Sequence, residues 1–88
     1  MKLIIAIIPD EDTEQVSKHL TGESLRVTLI ASTGGFLKRG YSTLLVGLED
    51  SQVDRACQLI RDGCSAKENT DKKSGTIFVL SVDKFLHI

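Results

Sequence analysis

The chain has 88 residues, and its 11 lysines and arginines against 12 aspartates and glutamates leave a formal net charge of -1. This length suits one small domain, and the balanced charge argues against binding to duplex nucleic acid. The longest apolar run, residues 3–8, is too short to cross a bilayer, and the acidic segment after Pro9 lacks a signal-peptide cleavage pattern. We therefore expect one cytoplasmic domain, residues 1–88, without a membrane or nucleic-acid partner.

The first half of the chain predicts a strand, a helix and a second strand. Residues 2–8 form an apolar run that ends at the only proline, which is typical of a buried strand. Residues 10–13 supply the capping residue and the acids of a helix start. Val16 and Leu20 form its apolar stripe, and Gly22 marks its end. Residues 25–32 alternate as a strand, with Arg26, Thr28, Ile30 and Ser32 on the face opposite Leu25, Val27, Leu29 and Ala31.

The second half predicts a strand over residues 42–48, a helix from about Ser51 and a strand over 74–82. Ser51 and Asp54 have the spacing of a weak capping box, and Gly63 ends the helix. The apolar positions of this helix fall at helical spacing, namely Val53, Ala56, Cys57 and Ile60. Residues 64–73 are polar and indicate a surface loop.

The two cysteines, Cys57 and Cys64, are seven residues apart. On a helix this spacing puts them two turns apart, which is too far for a disulfide. The chain has no C-x-x-C pair, so it gives no support to a metal site. We expect buried, reduced thiols.

The predicted order is β-α-β-β-α-β, the ferredoxin-like α+β fold with two helices on one face of a four-stranded antiparallel sheet. The first and last strands are apolar on both faces, whereas a strand with one solvated face alternates. A second apolar sheet face of that size is an interaction site, so we expect an obligate homo-oligomer.

A glycine-rich segment, residues 32–40, joins the second and third strands. It combines three glycines, two hydroxyls, two cations and Phe36. Glycine lets backbone approach a ligand, free N–H groups can hold an anion, and an aromatic ring can stack on a base. A plain turn between two strands is the alternative.

Five segments resemble the PII-like cyclic di-AMP receptor family, which is related to the nitrogen-regulatory PII signalling proteins. They are MKLIIAI at 1–7, RVT at 26–28, TGGFL at 33–37, GLED with VD at 47–54, and TIFVL at 76–80. The resemblance implies a homotrimer that binds its ligand in clefts between subunits. It also implies ligand contacts at Arg26, Thr28, Gly35, Phe36, Leu37 and Gly47.

The chain departs from this family at three places. Tyr41 stands where the family has asparagine, so an aromatic ring that could stack on a base or fill the pocket replaces an amide. His87 stands where the family tends to have glutamine. The segment 64–73 replaces a much longer excursion. We include Tyr41 among the candidate ligand-binding residues.

Catalysis finds little support, because no Ser/His/Asp or Cys/His arrangement and no phosphate-binding P-loop spacing occurs in the sequence. We expect neither an enzyme nor a cofactor or metal. The resemblance implies a signal-transduction protein that binds an adenine nucleotide, with cyclic di-AMP as the candidate, and acts on a protein partner. A PII-like scaffold with another small-molecule or anion ligand, or an oligomer that acts only through protein contacts, stays open.

Overall fold

The computed structural model describes residues 1–30, 40–64 and 75–88. The candidate residues Gly35, Phe36 and Leu37 lie outside this range, as does most of the predicted loop 64–73. The main elements are β1 (Lys2–Pro9), α1 (Thr13–Thr21), β2 (Val27–Ile30), β3 (Tyr41–Leu48), α2 (Val53–Gly63) and β4 (Thr76–Ser81). Short 3-10 turns, Asp10–Asp12 and Asp50–Gln52, precede the two helices.

The four strands form one antiparallel sheet in the order β2-β3-β1-β4. This arrangement and the two helices confirm the predicted α+β ferredoxin-like fold. β1 and β3 are the central strands, so both are paired along their whole length. β2 and β4 are the edges.

Alternation along the strands separates a buried face from a second apolar face. Ile4, Ala6 and Ile8 of β1 are buried under the helices together with Leu44 and Val46 of β3. The opposite face of the sheet carries the other apolar side chains of the same strands. Its half-buried members are Leu3, Ile5, Ile7 and Leu45, and its exposed members are Ile30, Phe78 and Leu80.

The helices close the core from one side. Val16 and Leu20 of α1 are fully buried, as the predicted stripe required, and Ala56 and Ile60 of α2 are buried beside them. The end of α2 approaches α1 closely, since a Cβ added to Gly63 would lie 2.7 Å from Val16 Cγ2. Glycine is therefore needed here for packing between the helices.

The predicted helix start at residues 10–13 is confirmed, since α1 begins at Thr13, whereas the capping box predicted before α2 was wrong. Asp12 occupies the N-cap position of α1 but makes no side-chain capping hydrogen bond, and Asp10 instead accepts a hydrogen bond from the Ser42 hydroxyl. Before α2, Glu49 and Gln52 form the reciprocal capping box rather than Ser51 and Asp54. The reason is that the 3-10 turn begins at Asp50, so Ser51 already lies inside it.

The two cysteines form no disulfide with each other, and both are half-buried rather than buried as predicted. Burial raises the pKa of the Cys57 thiol above its ordinary value, which keeps the thiol protonated at neutral pH. Among the described residues, no helix is long and apolar enough to cross a membrane.

Candidate functional site

A groove of about 510 Å³ lies at the end of the sheet where β1 and β2 begin and where β3 and β4 end. Strand register explains which side chains meet there. Gly47 of β3 pairs with Leu3 of β1, and Thr28 of β2 pairs with Leu45 of β3. All four residues line the groove, and Arg26 joins them from the position just before β2. The groove therefore opens on the sheet face that the helices leave free.

Gly47 creates space in this row of residues. It is exposed, although its neighbours Val46 and Leu48 are buried. Because glycine has no side chain, the β3 backbone is accessible between Leu3 and Thr28. A flat ligand can approach the main chain at this position.

Two residues that line the groove carry a permanent positive charge, Lys2 and Arg26, and no aspartate or glutamate among the described residues lines it. Arg26 is exposed and has no ion-pair partner in the part of the chain that the structure describes. Lys2 Nζ donates a hydrogen bond to Ser81 Oγ at 2.9 Å, and this acceptor is neutral. The strand register directs the Lys2 side chain, like that of Ser81, to the helical side of the sheet, so Arg26 is the cation whose side chain faces the groove. Its positive charge is available to an anion.

On the helical side of the molecule an arginine has an ion-pair partner, in contrast to Arg26: Arg55 pairs with Glu23. Arg55 Nη2 lies 2.8 Å from Glu23 Oε2. The hydrogen bond from Arg55 lowers the pKa of Glu23, and the same contact raises the pKa of Arg55. This arginine is neutralised by its own chain, whereas Arg26 is not.

The C-terminal segment forms an aromatic part of the groove. The rings of Phe85 and His87 lie edge to face, with their centroids 6.0 Å apart and their planes at 88°. Both residues line the groove. The backbone N–H of Val82 donates to the carbonyl of Met1 at 3.0 Å, which ties the beginning of this segment to the start of β1. Apolar and aromatic surface beside an unneutralised cation suits a ligand with a flat ring and an anionic group.

The candidate residues do not all meet within one chain. Arg26, Thr28 and Gly47 line the same groove. Tyr41 lies at the other end of β3, where it pairs with Pro9, and six residues of strand from Gly47 correspond to about 20 Å. Gly35, Phe36 and Leu37 belong to the segment that the structure does not describe.

Sequence reasoning missed several residues of the groove. Lys2, Leu3, Leu45 and Val82 were assigned only to strands, and Phe85 only to the end of the chain. Phe85 and His87 are two residues apart, and in an extended segment side chains at this spacing lie on the same side of the backbone. This spacing was the one local signal that could have placed these two side chains together. Among the described residues, no group of three or more histidine, cysteine, aspartate or glutamate side chains could hold a metal ion.

Two comparisons with known proteins bear on the fold and on the family. A crystal structure of a functionally unknown protein from Pediococcus pentosaceus ATCC 25745 is similar in fold, with a TM-score of 0.79 and 28% sequence identity. The alignment covers 99% of this chain and 96% of that one. The family model described as cyclic-di-AMP receptor matches residues 1–73, which include Lys2, Arg26, Thr28 and Gly47. The chain therefore belongs to the cyclic-di-AMP receptor family.

Proposed function

We propose that this protein is a cytoplasmic, PII-like signalling protein that binds an adenine nucleotide, cyclic di-AMP, in clefts between the subunits of a homotrimer. The observation that carries the proposal is the groove at the end of the sheet in a member of this family. It combines the exposed guanidinium of Arg26, which has no ion-pair partner among the described residues, with the apolar side chains of Leu3 and Leu45. An adenine dinucleotide has the matching chemistry, namely two flat bases and two anionic phosphates.

Each groove residue has a role that follows from its chemistry. The Arg26 guanidinium presents a fork of N–H donors that fits two phosphate oxygens at once. The Thr28 hydroxyl both donates and accepts hydrogen bonds, so it can read a base edge or a sugar hydroxyl. Gly47 admits a base to the backbone, and the ring of Phe85 offers a surface for stacking.

The position of Tyr41 supports a site between subunits. Tyr41 lies about 20 Å along β3 from Gly47, so a nucleotide seated in the groove of one chain does not reach Tyr41 of the same chain. Tyr41 joins the site only if a neighbouring chain supplies it. The exposed apolar face around Phe78 and Leu80 offers the surface for such an association.

Signalling requires that the nucleotide distinguish two states of the trimer. A ligand shifts a conformational equilibrium only by its difference in affinity for the two states. In this proposal the nucleotide binds one arrangement of neighbouring subunits more tightly. A protein partner that recognises that arrangement then gains affinity.

The test is isothermal titration of the purified protein with cyclic di-AMP, with ATP and AMP as comparators. We expect micromolar or tighter binding of cyclic di-AMP, with a mass in solution that corresponds to three chains. Arg26→Ala removes the unneutralised guanidinium of the groove and is expected to abolish the binding heat. Arg61→Ala is the matched control, because Arg61 is also exposed but belongs to α2, away from the groove.

Each other outcome contradicts part of the proposal. Heat from ATP or AMP alone assigns the scaffold to a different nucleotide. A folded trimer that gives no heat with any of the three indicates an oligomer that acts through protein contacts. A monomer without nucleotide binding overturns both the assembly and the ligand.

A further inference from the structure

Met1 is held at both of its backbone ends. Its terminal ammonium lies 3.5 Å from Asp50 Oδ1, and its carbonyl oxygen accepts the hydrogen bond from the Val82 N–H at 3.0 Å. Terminal residues are poorly ordered unless such contacts tie them down. The start of the chain is therefore fixed to the turn before α2 and to the end of β4.

The fixed backbone directs the Met1 side chain over Gly47. Met1 lines the groove, and its Cε is the nearest atom to a Cβ built on Gly47, at 3.5 Å. The methyl end of the thioether thus lies beside the place where the β3 backbone is open. Met1 is nevertheless 44% exposed, so no shell of side chains locks its rotamer.

We propose that the Met1 thioether is a base-contacting element of the nucleotide site, an inference that rests on the proposed function. In the free protein its methyl end lies beside Gly47, which stays exposed. When an adenine ring enters the groove, the side chain turns away from Gly47 and packs its sulfur and methyl group against the ring.

Methionine is chemically suited to this role. Its unbranched side chain has three rotatable bonds, so it can move without displacing the backbone. Its polarisable sulfur makes favourable contacts with aromatic rings at about 5 Å. Because Asp50 and Val82 keep the Met1 backbone in place, the displaced side chain stays beside the groove. Asp50 is thereby a positioning residue, which acts through the terminal ammonium.

The experiment uses the fact that Met1 is the only methionine of the chain. Protein that begins at Met1, without added residues, is labelled with ¹³C at the methionine methyl group and gives one methyl resonance. We expect this resonance to shift during titration with cyclic di-AMP and to saturate at the dissociation constant measured by calorimetry. Inorganic phosphate at matched ionic strength is the control. It carries the anionic group but no ring, and should leave the resonance in place.

Two aspartate variants test the positioning role. Asp50→Asn removes the ion pair with the terminus and is expected to weaken cyclic di-AMP binding about threefold, with unchanged thermal stability. It should also reduce the shift of the methyl resonance at saturation. Asp54→Asn is the matched control, since Asp54 lies one turn further on and is exposed. Its affinity and its methyl shift should equal those of the natural protein.

The outcomes separate the two proposals. Calorimetric binding of cyclic di-AMP with an unmoved methyl resonance overturns the role of Met1 and leaves the proposed function standing. An unchanged affinity and methyl shift in Asp50→Asn overturns the positioning role of Asp50. An absence of heat and of any shift with all nucleotides overturns the proposed function, and the role of Met1 falls with it.

Discussion

Gly47 and Leu3 lie directly opposite each other in the pairing of β3 with β1, and both face the groove at the end of the sheet. A Cβ added to Gly47 would meet only the Met1 Cε, at the ordinary contact distance of 3.5 Å. The fold itself therefore does not require glycine at this position. We infer that the missing side chain serves the ligand.

Gly47→Ala should separate stability from binding. We expect unchanged or slightly higher stability, by up to about 1 kcal/mol, because alanine loses less backbone entropy than glycine in a strand. The new methyl group enters the groove, so the affinity for cyclic di-AMP should fall about tenfold or more. Urea denaturation and calorimetry on the same preparation measure the two effects. An affinity equal to that of the natural protein would contradict the proposed approach of the base to β3.

Gly63→Ala should have the opposite effect on stability. The added Cβ would lie 2.7 Å from Val16 Cγ2 and 3.1 Å from Val16 Cα, so the end of α2 must move away from α1. Overpacking of this kind costs about 1–3 kcal/mol, and only part of that is offset by the higher helix propensity of alanine. Urea denaturation should show a lower midpoint than for Gly47→Ala. A midpoint higher than that of Gly47→Ala would mean that the end of α2 can move away from α1 without loss of stability.

Phe78→Glu tests the second apolar face of the sheet. Phe78 pairs with Ile5, lies on the face opposite the helices, and is 49% exposed. A carboxylate in a buried contact between subunits is strongly unfavourable, so this variant should be a folded monomer. Light scattering measures the mass, and circular dichroism tests the fold.

The matched control for this variant is Val79→Glu. Val79 is the next residue of β4, is similarly exposed at 43%, and points to the other side of the sheet. It should retain the assembly of the natural protein. If Phe78→Glu also kept the full mass, the free face of the sheet would not be the subunit interface.

The Cys57 thiol predicts a pH dependence of stability on the alkaline side. Burial raises the pKa of this thiol above its ordinary value of 9.0. As the pH rises through that value, the unfolded state loses the thiol proton first and is stabilised relative to the folded state. The stabilising contribution of the protonated Cys57 thiol is complete below the ordinary pKa. It is lost as the pH rises from that value to the raised pKa of the folded state.

Cys57→Ala isolates this effect from the other groups that titrate in the same range. The free energy of unfolding is measured between pH 7 and pH 10 for both proteins. The difference between them should narrow as the pH rises, because the natural protein loses more stability than the variant. Parallel curves would show that the thiol has the same pKa in both states. At neutral pH, Cys57 should also react slowly with iodoacetamide.

Most of the fold prediction was based on the local periodicity of apolar residues. Ile4, Ala6 and Ile8 repeat every second residue, and Val16 and Leu20 are one helical turn apart, so their shared faces follow from backbone geometry alone. The capping box predicted before α2 was wrong because a cap depends on where the first turn closes. That point shifted to Glu49 before α2 and left Ser51 inside the turn.

The groove was only partly predictable. Resemblance to a family supplied Arg26, Thr28 and Gly47, and the structure brings these three together. No local pattern could supply Lys2, because the residue that it contacts is not nearby in the sequence. Lys2 bonds to Ser81, 79 residues away.

The amino-acid sequence by itself determined the order of the elements and the two apolar faces of the first and last strands, because both are properties of successive residues on one backbone. Only the tertiary structure decided that Met1 and Lys2 meet Val82 and Phe85 beside Arg26. Antiparallel pairing of β1 with β4 places the beginning of the first strand beside the end of the last. The two ends of the chain thereby form one groove with the start of β2.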